Sequence, residues 1–355
     1  MRALVTGGGG FLGTYIVERL LARGDQVRIF CRGDYPELAA RGVEIIRGDL
    51  RTRPDVINAC RDMDMVFHTA SLPGISVNRR PFYETNVLGT QHVLDACREN
   101  NIERLVYTSS PSVTDGGVPQ TGVNESTPYP KRYLSFYPET KAIAERMVLQ
   151  ANGSPIANGS KQLLTCAIRP RLIWGPHDHH LIPRLIQRAQ TGQLTRVGDG
   201  TNLLDMVYVE NAADAHLLAA DALTPTGPVA GNAYYISQGE PINCWDWINR
   251  ILELVGLEHV RRAVSFKTAW RVGWCYECMY RLLRLKGEPP MTRFLATQLA
   301  QSYWFDISRA QHDFGYAPRI STEEGLARLA EDLKSRNISG KNMGNKSDTI
   351  ARRQE

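Results

Sequence analysis

The sequence predicts an α/β protein in which a doubly wound parallel sheet, covered by helices on both faces, precedes a smaller and mostly helical C-terminal part. Three observations predict it. Strand-like and helix-like stretches alternate from the first residue. The strands are short runs rich in Val, Ile and Leu, as strands buried on both faces must be. Four consecutive glycines, Gly7 to Gly10, separate the first strand from the first helix, and that much glycine costs folding entropy that a physical need must offset.

Each element follows from local pattern. RALVT reads as the first strand, and Phe11 to Leu21 carries apolar residues at a 3.6-residue period. QVRIF, VEIIRG and MVFHTA read as short buried strands, PFYETNVLGTQHVLDACREN as one long amphipathic helix, and RLVYTSS as another strand. YPETKAIAERMVLQ is a further helix and LLTCAIRP a further strand, with the polar ANGSPIANGSK between them as a surface loop. After Arg171 the alternation weakens. The division expected is a dinucleotide-binding part over 1–175, a substrate-binding part over 176–333 with some segments returning to the sheet, and a disordered basic tail over 334–355.

Charge excludes some partners. The whole chain has 42 Lys and Arg against 37 Asp and Glu, and the tail holds six of the bases against two of the acids. The body is therefore nearly neutral, which argues against nucleic acid as a partner. Seven scattered cysteines without framework spacing suit a reducing compartment. No leader and no apolar run of about 20 residues is visible, so the expected location is cytoplasmic. The Asn-x-Ser sequons at Asn152 and Asn158 carry little meaning without a secretory route.

The glycines answer to a ligand. Gly8-x-Gly10-x-x-Gly13 and Gly7-x-x-Gly10-x-x-Gly13 overlap at a strand-to-helix turn. There, backbone amides and the helix dipole can hold a pyrophosphate, the signature of Rossmann-type dinucleotide binding; a bare flexible turn is the bland alternative. An acid ending the second strand would bond the ribose hydroxyls and favour NAD. Here the strand ends in Cys31 and Arg32, with Asp34 two residues on. A guanidinium matches a 2′-phosphate, so Arg32 favours NADP(H), with NAD(H) still possible and a solvated surface arginine as the bland alternative. Asp49, after the third strand, could bond the adenine amine or cap its own loop.

Tyr137 and Lys141 stand four residues apart, on one helix face. A free phenol, with a pKa near ~10, is a poor base at neutral pH. A neighbouring ammonium is expected to stabilise the phenolate and bring it into range. Ser109 and Ser110 follow the preceding strand, and Ser110 is placed to bond a carbonyl oxygen as charge develops on it; Ser109 takes its place if the register is one residue off.

These pieces together resemble the extended short-chain dehydrogenase/reductase superfamily along most of the chain. The resemblance rests on TGGGGFLG (Thr6 to Gly13), GDL (Gly48 to Leu50), HTAS (His68 to Ser71), NVLGT (Asn86 to Thr90), YTSSPSV, YPETK, RPRLIWGP (Arg169 to Pro176) and VYVENAADAH (Val207 to His216). GDGTNLLDMVYVENAADAHLLAA, AYYISQGEPINCWDWI and FDISRAQHDFGYAPRIS point further, to the 3β-hydroxysteroid dehydrogenase group. The resemblance implies that Gly7, Gly10 and Gly13 approach the pyrophosphate, with Phe11, Leu12, Leu50 and Thr108 among the cofactor contacts. It implies that His68, Thr69 and Ala70 line the nicotinamide ribose, that Asn86 supports the active-site helix, and that Pro170 and Ile173 sit near the nicotinamide. Tyr137 would be the acid/base, Lys141 would hold the cofactor ribose, and Ser110 would polarise the reacting C–O bond. The implied activity interconverts a 3-hydroxy and a 3-oxo group on a bulky hydrophobic molecule, a sterol, a steroid or a 2-alkyl-3-oxoalkanoate. A homodimer is the expected assembly.

Other features stay open at this level. A nucleotide-sugar epimerase or dehydratase would keep the fold, with Arg184 and Arg188 able to read a phosphate, and a non-catalytic cofactor sensor would keep it without the chemistry. Phe266 to Leu285 places Trp270, Trp274, Cys278, Leu282 and Leu285 at helical spacing. That stripe reads as a core helix first and as a substrate lid or membrane-surface helix second, with Lys267, Arg271, Arg281 and Arg284 at its polar edge. As a lid it would cover substrate with Trp270, Trp274, Tyr276, Tyr280 and Leu283. Cys275 and Cys278 form a CxxC read as apolar packing. His177-Asp178-His179-His180 is read as a surface or substrate loop, and no metal is expected.

Overall fold

The computed structural model describes residues 1–157, 159 and 161–336. Its centre is a sheet with seven parallel strands: β1 (Arg2–Thr6), β2 (Gln26–Cys31), β3 (Glu44–Arg47), β4 (Met65–His68), β5 (Arg104–Thr108), β6 (Gln162–Pro170) and β7 (Ala233–Ile236). Their spatial order is β7-β6-β5-β4-β1-β2-β3, so the chain runs outward from β1 to one edge and then from β4 to the other. That reversal opens a crevice at the carboxyl ends of β1 and β4, where ligands bind in such sheets.

Alternating side chains feed two cores. Ala3 and Val5 point into one, with Ile16, Val17 and Leu20 of α1 (Phe11–Ala22). Leu4 points into the other, beneath α2 (Arg53–Cys60), α3 (Gly89–Glu99) and α4 (Phe136–Gln150). Burial on both faces explains the unbroken apolar runs of the strands.

The sequence reading changes at two places. The long helix starts at Arg79 and widens to a π turn over Tyr83–Leu88 before α3. The loop before β6 contributes Ser154–Pro155, an antiparallel pair with Gln162 and Leu163. Asn158 lies outside the described residues.

Beyond β6 come α5 (Leu181–Gln190), α6 (Val209–Asp221), α7 (Cys244–Leu254), α8 (Phe266–Leu282), α9 (Arg293–Ala300) and α10 (Thr322–Ser335). Helix α6 packs beside α1 and β7 closes the parallel sheet, so both return to the first part of the fold. The exchange also runs the other way: Gln120–Val123 pairs in parallel with Tyr303–Phe305, in a small sheet built otherwise from later segments. Helix α10 includes Lys334 and Ser335, which the sequence reading gave to the tail; the tail from 337 onward lies outside the described residues.

Trp270 packs partly against the core, but Trp274, Cys278, Leu282 and Leu285 of the α8 stripe do not face it. Ala269, Gly273 and Glu277 do. A Cβ at Gly273 would press on the backbone of Thr292 and Arg293, and Glu277 accepts from the Arg293 amide at 2.8 Å and from its Nη2 at 2.7 Å. Small residues and a buried ion pair join α8 to α9, which leaves Trp274 50% and Leu282 83% exposed. Cys275 and Cys278 are also exposed, against the expectation of apolar packing. No helix of the described residues is long and apolar enough to cross a membrane.

Candidate active site

The glycine turn is a close-packed cradle. Gly7 has φ +70°, and a Cβ there would come within 3.0 Å of the Ala70 backbone. At Gly13 a Cβ would overlap the Gly7 carbonyl oxygen, so the helix can cross this near the strand only without a side chain. Gly10 donates its amide to Gly7 O at 2.8 Å and precedes α1. No side chain caps that helix end and no acid stands in its first turn, which leaves the amides of Phe11, Leu12 and Gly13 to a ligand's oxygens. An anion such as a pyrophosphate fits this end by charge and by the space the missing Cβ atoms leave.

The neighbouring positions divide. Arg32 is exposed at the end of β2. Asp49 binds its own loop, accepting from Arg51 Nη2 at 2.6 Å and Nε at 3.0 Å, and the Arg51 guanidinium holds its carboxyl below the ordinary value. Leu50 is buried, and its carbonyl accepts from His92 at 2.7 Å. Thr69 donates its hydroxyl to Thr6 O at 2.7 Å and lines the cavity described below.

His68 corrects the reading of its side chain. The ring is fully buried, with Nδ1 2.7 Å from Thr6 Oγ1 and Nε2 3.0 Å from Thr90 Oγ1. It cannot line a ribose. Burial, with the Lys141 charge as a smaller cause, pushes its pKa down to about 3, so it is a neutral brace between β1, β4 and α3.

Tyr137 sits in the first turn of α4 and Lys141 one turn further. Ser110 follows β5 and caps a short 3₁₀ turn over Pro111–Thr114. Its Oγ is 2.9 Å from Ser112 Oγ, and it lines the same cavity wall as the Tyr137 phenol. Ser110 lines the cavity with Tyr137, while Ser109, also on that wall, is buried near Glu145. Asn86, in the π turn, accepts from the Leu72 amide at 2.7 Å and donates to Leu72 O and Thr140 Oγ1, each at 3.1 Å, which ties the loop after β4 to α4.

The electrostatics differ from the simple tyrosine–lysine expectation. Burial raises the Tyr137 phenol, and the Ser110 hydroxyl opposes this in part. Lys141, 1% exposed, donates Nζ to Thr108 O at 2.6 Å and lies 4.1 Å from the centre of the Tyr107 ring. One of the three N–H donors of its ammonium is thus engaged. Burial pushes Lys141 down to about 7, and Glu145 opposes that.

Glu145 escaped the sequence reading. It is fully buried one turn beyond Lys141, accepts from Arg169 Nη2 at 2.7 Å and Nε at 2.9 Å, and accepts from Tyr129 at 2.6 Å. Its i+4 spacing from Lys141 was the available signal. Thr108 was implied as a cofactor contact; its carbonyl holds Lys141, and its hydroxyl lies 2.8 Å from Nε2 of the buried His216.

Ser110, Tyr137, Pro170 and Ile173 share the wall of a cavity of about 500 Å³. Its other walls are mostly apolar and come from α5, α7 and α9, including Leu185, Trp247 and Phe294. The expected cover from α8 is absent: none of Trp270, Trp274, Tyr276, Tyr280 and Leu283 lines it. Arg184 and Arg188 are engaged elsewhere, with Glu288 at 2.7 Å and Pro290 O at 2.9 Å. Asp178 caps α5, accepting from the amides of His180 and Ile182. His177 instead lies 3.2 Å from Asp332.

Hydride transfer needs a dinucleotide laid beside a proton donor and an open space for the reacting carbon. The carboxyl ends of β1, β4 and β5 gather the glycine cradle, Ser110 and a cavity that Tyr137 also lines, an arrangement of the short-chain dehydrogenase/reductase class. Residues 4–267 match the 3-beta hydroxysteroid dehydrogenase/isomerase family, and the chain belongs to it. The chain is 48% identical over 331 residues to a 2-alkyl-3-oxoalkanoate reductase of Stenotrophomonas maltophilia, covering 93% of this chain and 98% of the relative. It is 34% identical over 338 residues to a sterol-4-alpha-carboxylate 3-dehydrogenase (decarboxylating) of Mus musculus, covering 94% and 91%. Among solved structures it resembles MoeE5 in complex with UDP-glucose and NAD, with a TM-score of 0.72, 27% identity and coverage of 95% and 100%. The protein is an NAD(P)-dependent oxidoreductase acting on CH–OH groups.

Proposed function

We propose that the protein interconverts a 3-hydroxy and a 3-oxo group on a bulky hydrophobic substrate, sterol-like or a 2-alkyl-3-oxoalkanoate, with NADP(H) preferred over NAD(H). The observation that carries this reading is that Ser110 and Tyr137 meet on the wall of an apolar cavity. The names of the two relatives above support the substrate class, and the exposed Arg32 supports the 2′-phosphate.

Gly7, Gly10 and Gly13 with the first amides of α1 would hold the pyrophosphate, and Thr69, Ala70, Pro170 and Ile173 would border the nicotinamide. The bound nicotinamide supplies or accepts hydride. Ser110 donates a hydrogen bond to the substrate oxygen as negative charge grows on it. Tyr137 gives that oxygen its proton in reduction and takes it back in oxidation. Lys141, anchored on Thr108 O, would support a ribose hydroxyl of the bound cofactor with a remaining N–H and so hold positive charge near the phenol. Asn86 keeps α4 in place throughout.

A nucleotide-sugar reading draws on the likeness to MoeE5, but the ion pair and bond of Arg184 and Arg188 count against it, and so do the apolar walls. A cofactor sensor would have no use for Ser110 and Tyr137 facing one cavity. Substrate screening decides. Purified protein should change cofactor absorbance with hydrophobic 3-hydroxy acids or sterols and not with nucleotide sugars; the opposite pattern overturns the proposal. A homodimer in the cytoplasm is the assembly proposed. The exposed apolar end of α8, with Arg271, Arg281 and Arg284 at its edge, is proposed to touch a bilayer surface, which flotation with anionic vesicles tests.

A further inference from the structure

One charged residue borders the cavity among the described residues, and no step above uses it. Arg171 follows β6, is 7% exposed, and shares the wall with Ser110 and Tyr137. Its Nη1 donates to Gln298 Oε1 at 3.0 Å, and its guanidinium carbon lies 5.1 Å from the centre of the Tyr303 ring. Its other edge, Nε and Nη2, has no hydrogen-bond partner among the described residues.

An orphaned buried donor pair is costly, and a buried cation without a bonded counter-charge more so. The acids near it do not close that edge. Asp115 accepts from Gln298 Nε2 at 2.7 Å and from the Gly117 amide at 2.7 Å. Asp205 accepts from the Phe305 amide. Both act on Arg171 through charge at longer range. Gln298, bridging Arg171 and Asp115, fixes the guanidinium from one side and leaves the paired N–H fork on the other. That fork matches the two oxygens of a carboxylate. The mostly apolar walls suit an alkyl chain, and a phosphate would leave oxygens unbonded against them.

We propose that Arg171 is a specificity-determining residue whose Nε–Nη2 edge receives a substrate carboxylate, so that the cavity selects hydroxy and oxo acids over neutral alcohols and ketones. The inference rests on the hydride-transfer reading above.

The test compares a 2-alkyl-3-hydroxy acid with its methyl ester, oxidised in the presence of NADP⁺ or NAD⁺. Wild-type protein should favour the acid by about 100-fold in kcat/KM, chiefly through KM. Arg171→Met should bring the acid-to-ester ratio to about 1, and Arg171→Lys should restore part of it, with dinucleotide affinity unchanged by fluorescence titration. Wild-type protein that oxidises ester and acid equally overturns the carboxylate site while leaving hydride transfer standing, whether or not the variants fold. Folded Arg171→Met that keeps the wild-type ratio overturns it as well. Turnover of neither compound, with turnover of a nucleotide sugar, refutes the functional reading and the carboxylate site together.

Discussion

Replacing Glu145 by Gln keeps the shape of a buried side chain and deletes its charge. Arg169, whose side chain is 4% exposed, then loses its bidentate partner. Breaking a buried pair by removing one member costs about 3–5 kcal/mol, because the survivor is left uncompensated. The amide can still accept from Tyr129, so that bond does not add to the loss. At roughly 2 °C per kcal/mol for a chain of this size, the melting temperature should fall by roughly 6–10 °C. Removing both charges, as Glu145→Gln with Arg169→Met, should recover most of the loss. The same change acts on catalysis: Glu145 opposes the burial that lowers Lys141 to about 7, so the single variant should lower that pKa further and move the lysine-dependent limb of the pH–rate profile to lower pH. Urea unfolding of the wild type and both variants and a pH profile of the single one supply the measurements. A single variant within 1 kcal/mol of wild type, or a double variant no more stable than the single, refutes the reasoning.

Tyr137→Phe should lower kcat by about 10²–10⁴-fold while dinucleotide titration stays near wild type. Gly13→Ala should abolish dinucleotide binding, since its methyl would overlap the Gly7 carbonyl oxygen; retained affinity would refute the cradle. Burial holds His68 at about 3 and His216 at about 4, both below the unfolded value near ~6.5. Unfolding therefore binds protons between those limits, so stability is full above about pH 6.5 and drains as pH falls toward 4, and His68→Gln should flatten that slope in urea melts. Arg32→Asp should raise the KM for NADPH at least about 10-fold and spare NADH; equal effects on both cofactors would refute the role given to Arg32.

Much of this architecture could be read from pattern. Unbroken apolar strands, the Gly7–Gly13 turn and the four-residue step from Tyr137 to Lys141 are local signals, and each lies where expected. What escaped was non-local. Arg169 and Glu145 are 24 residues apart, and charged residues read as surface until a partner is known to reach them. Arg171 looked like one more basic residue in RPRLIWGP. The period of α8 disclosed a stripe but not its direction, because Gly273 and Ala269 allow an approach that tryptophans would block. The downward shift expected of Tyr137 assumed a free ammonium, whereas Thr108 O and the Tyr107 ring already engage it.

The carboxamide of Asn86 has a consequence for how the reaction rate can vary. It spans from the loop after β4 to Thr140, which lies between Tyr137 and Lys141 on α4. Because the chain is wound wide at 83–88, a change of a single residue there should shift that carboxamide along its neighbour and move the Tyr137 phenol relative to the oxygen it is proposed to protonate. Substitutions at 83–88 that never meet substrate should thus alter turnover while every proposed reacting group stays the same.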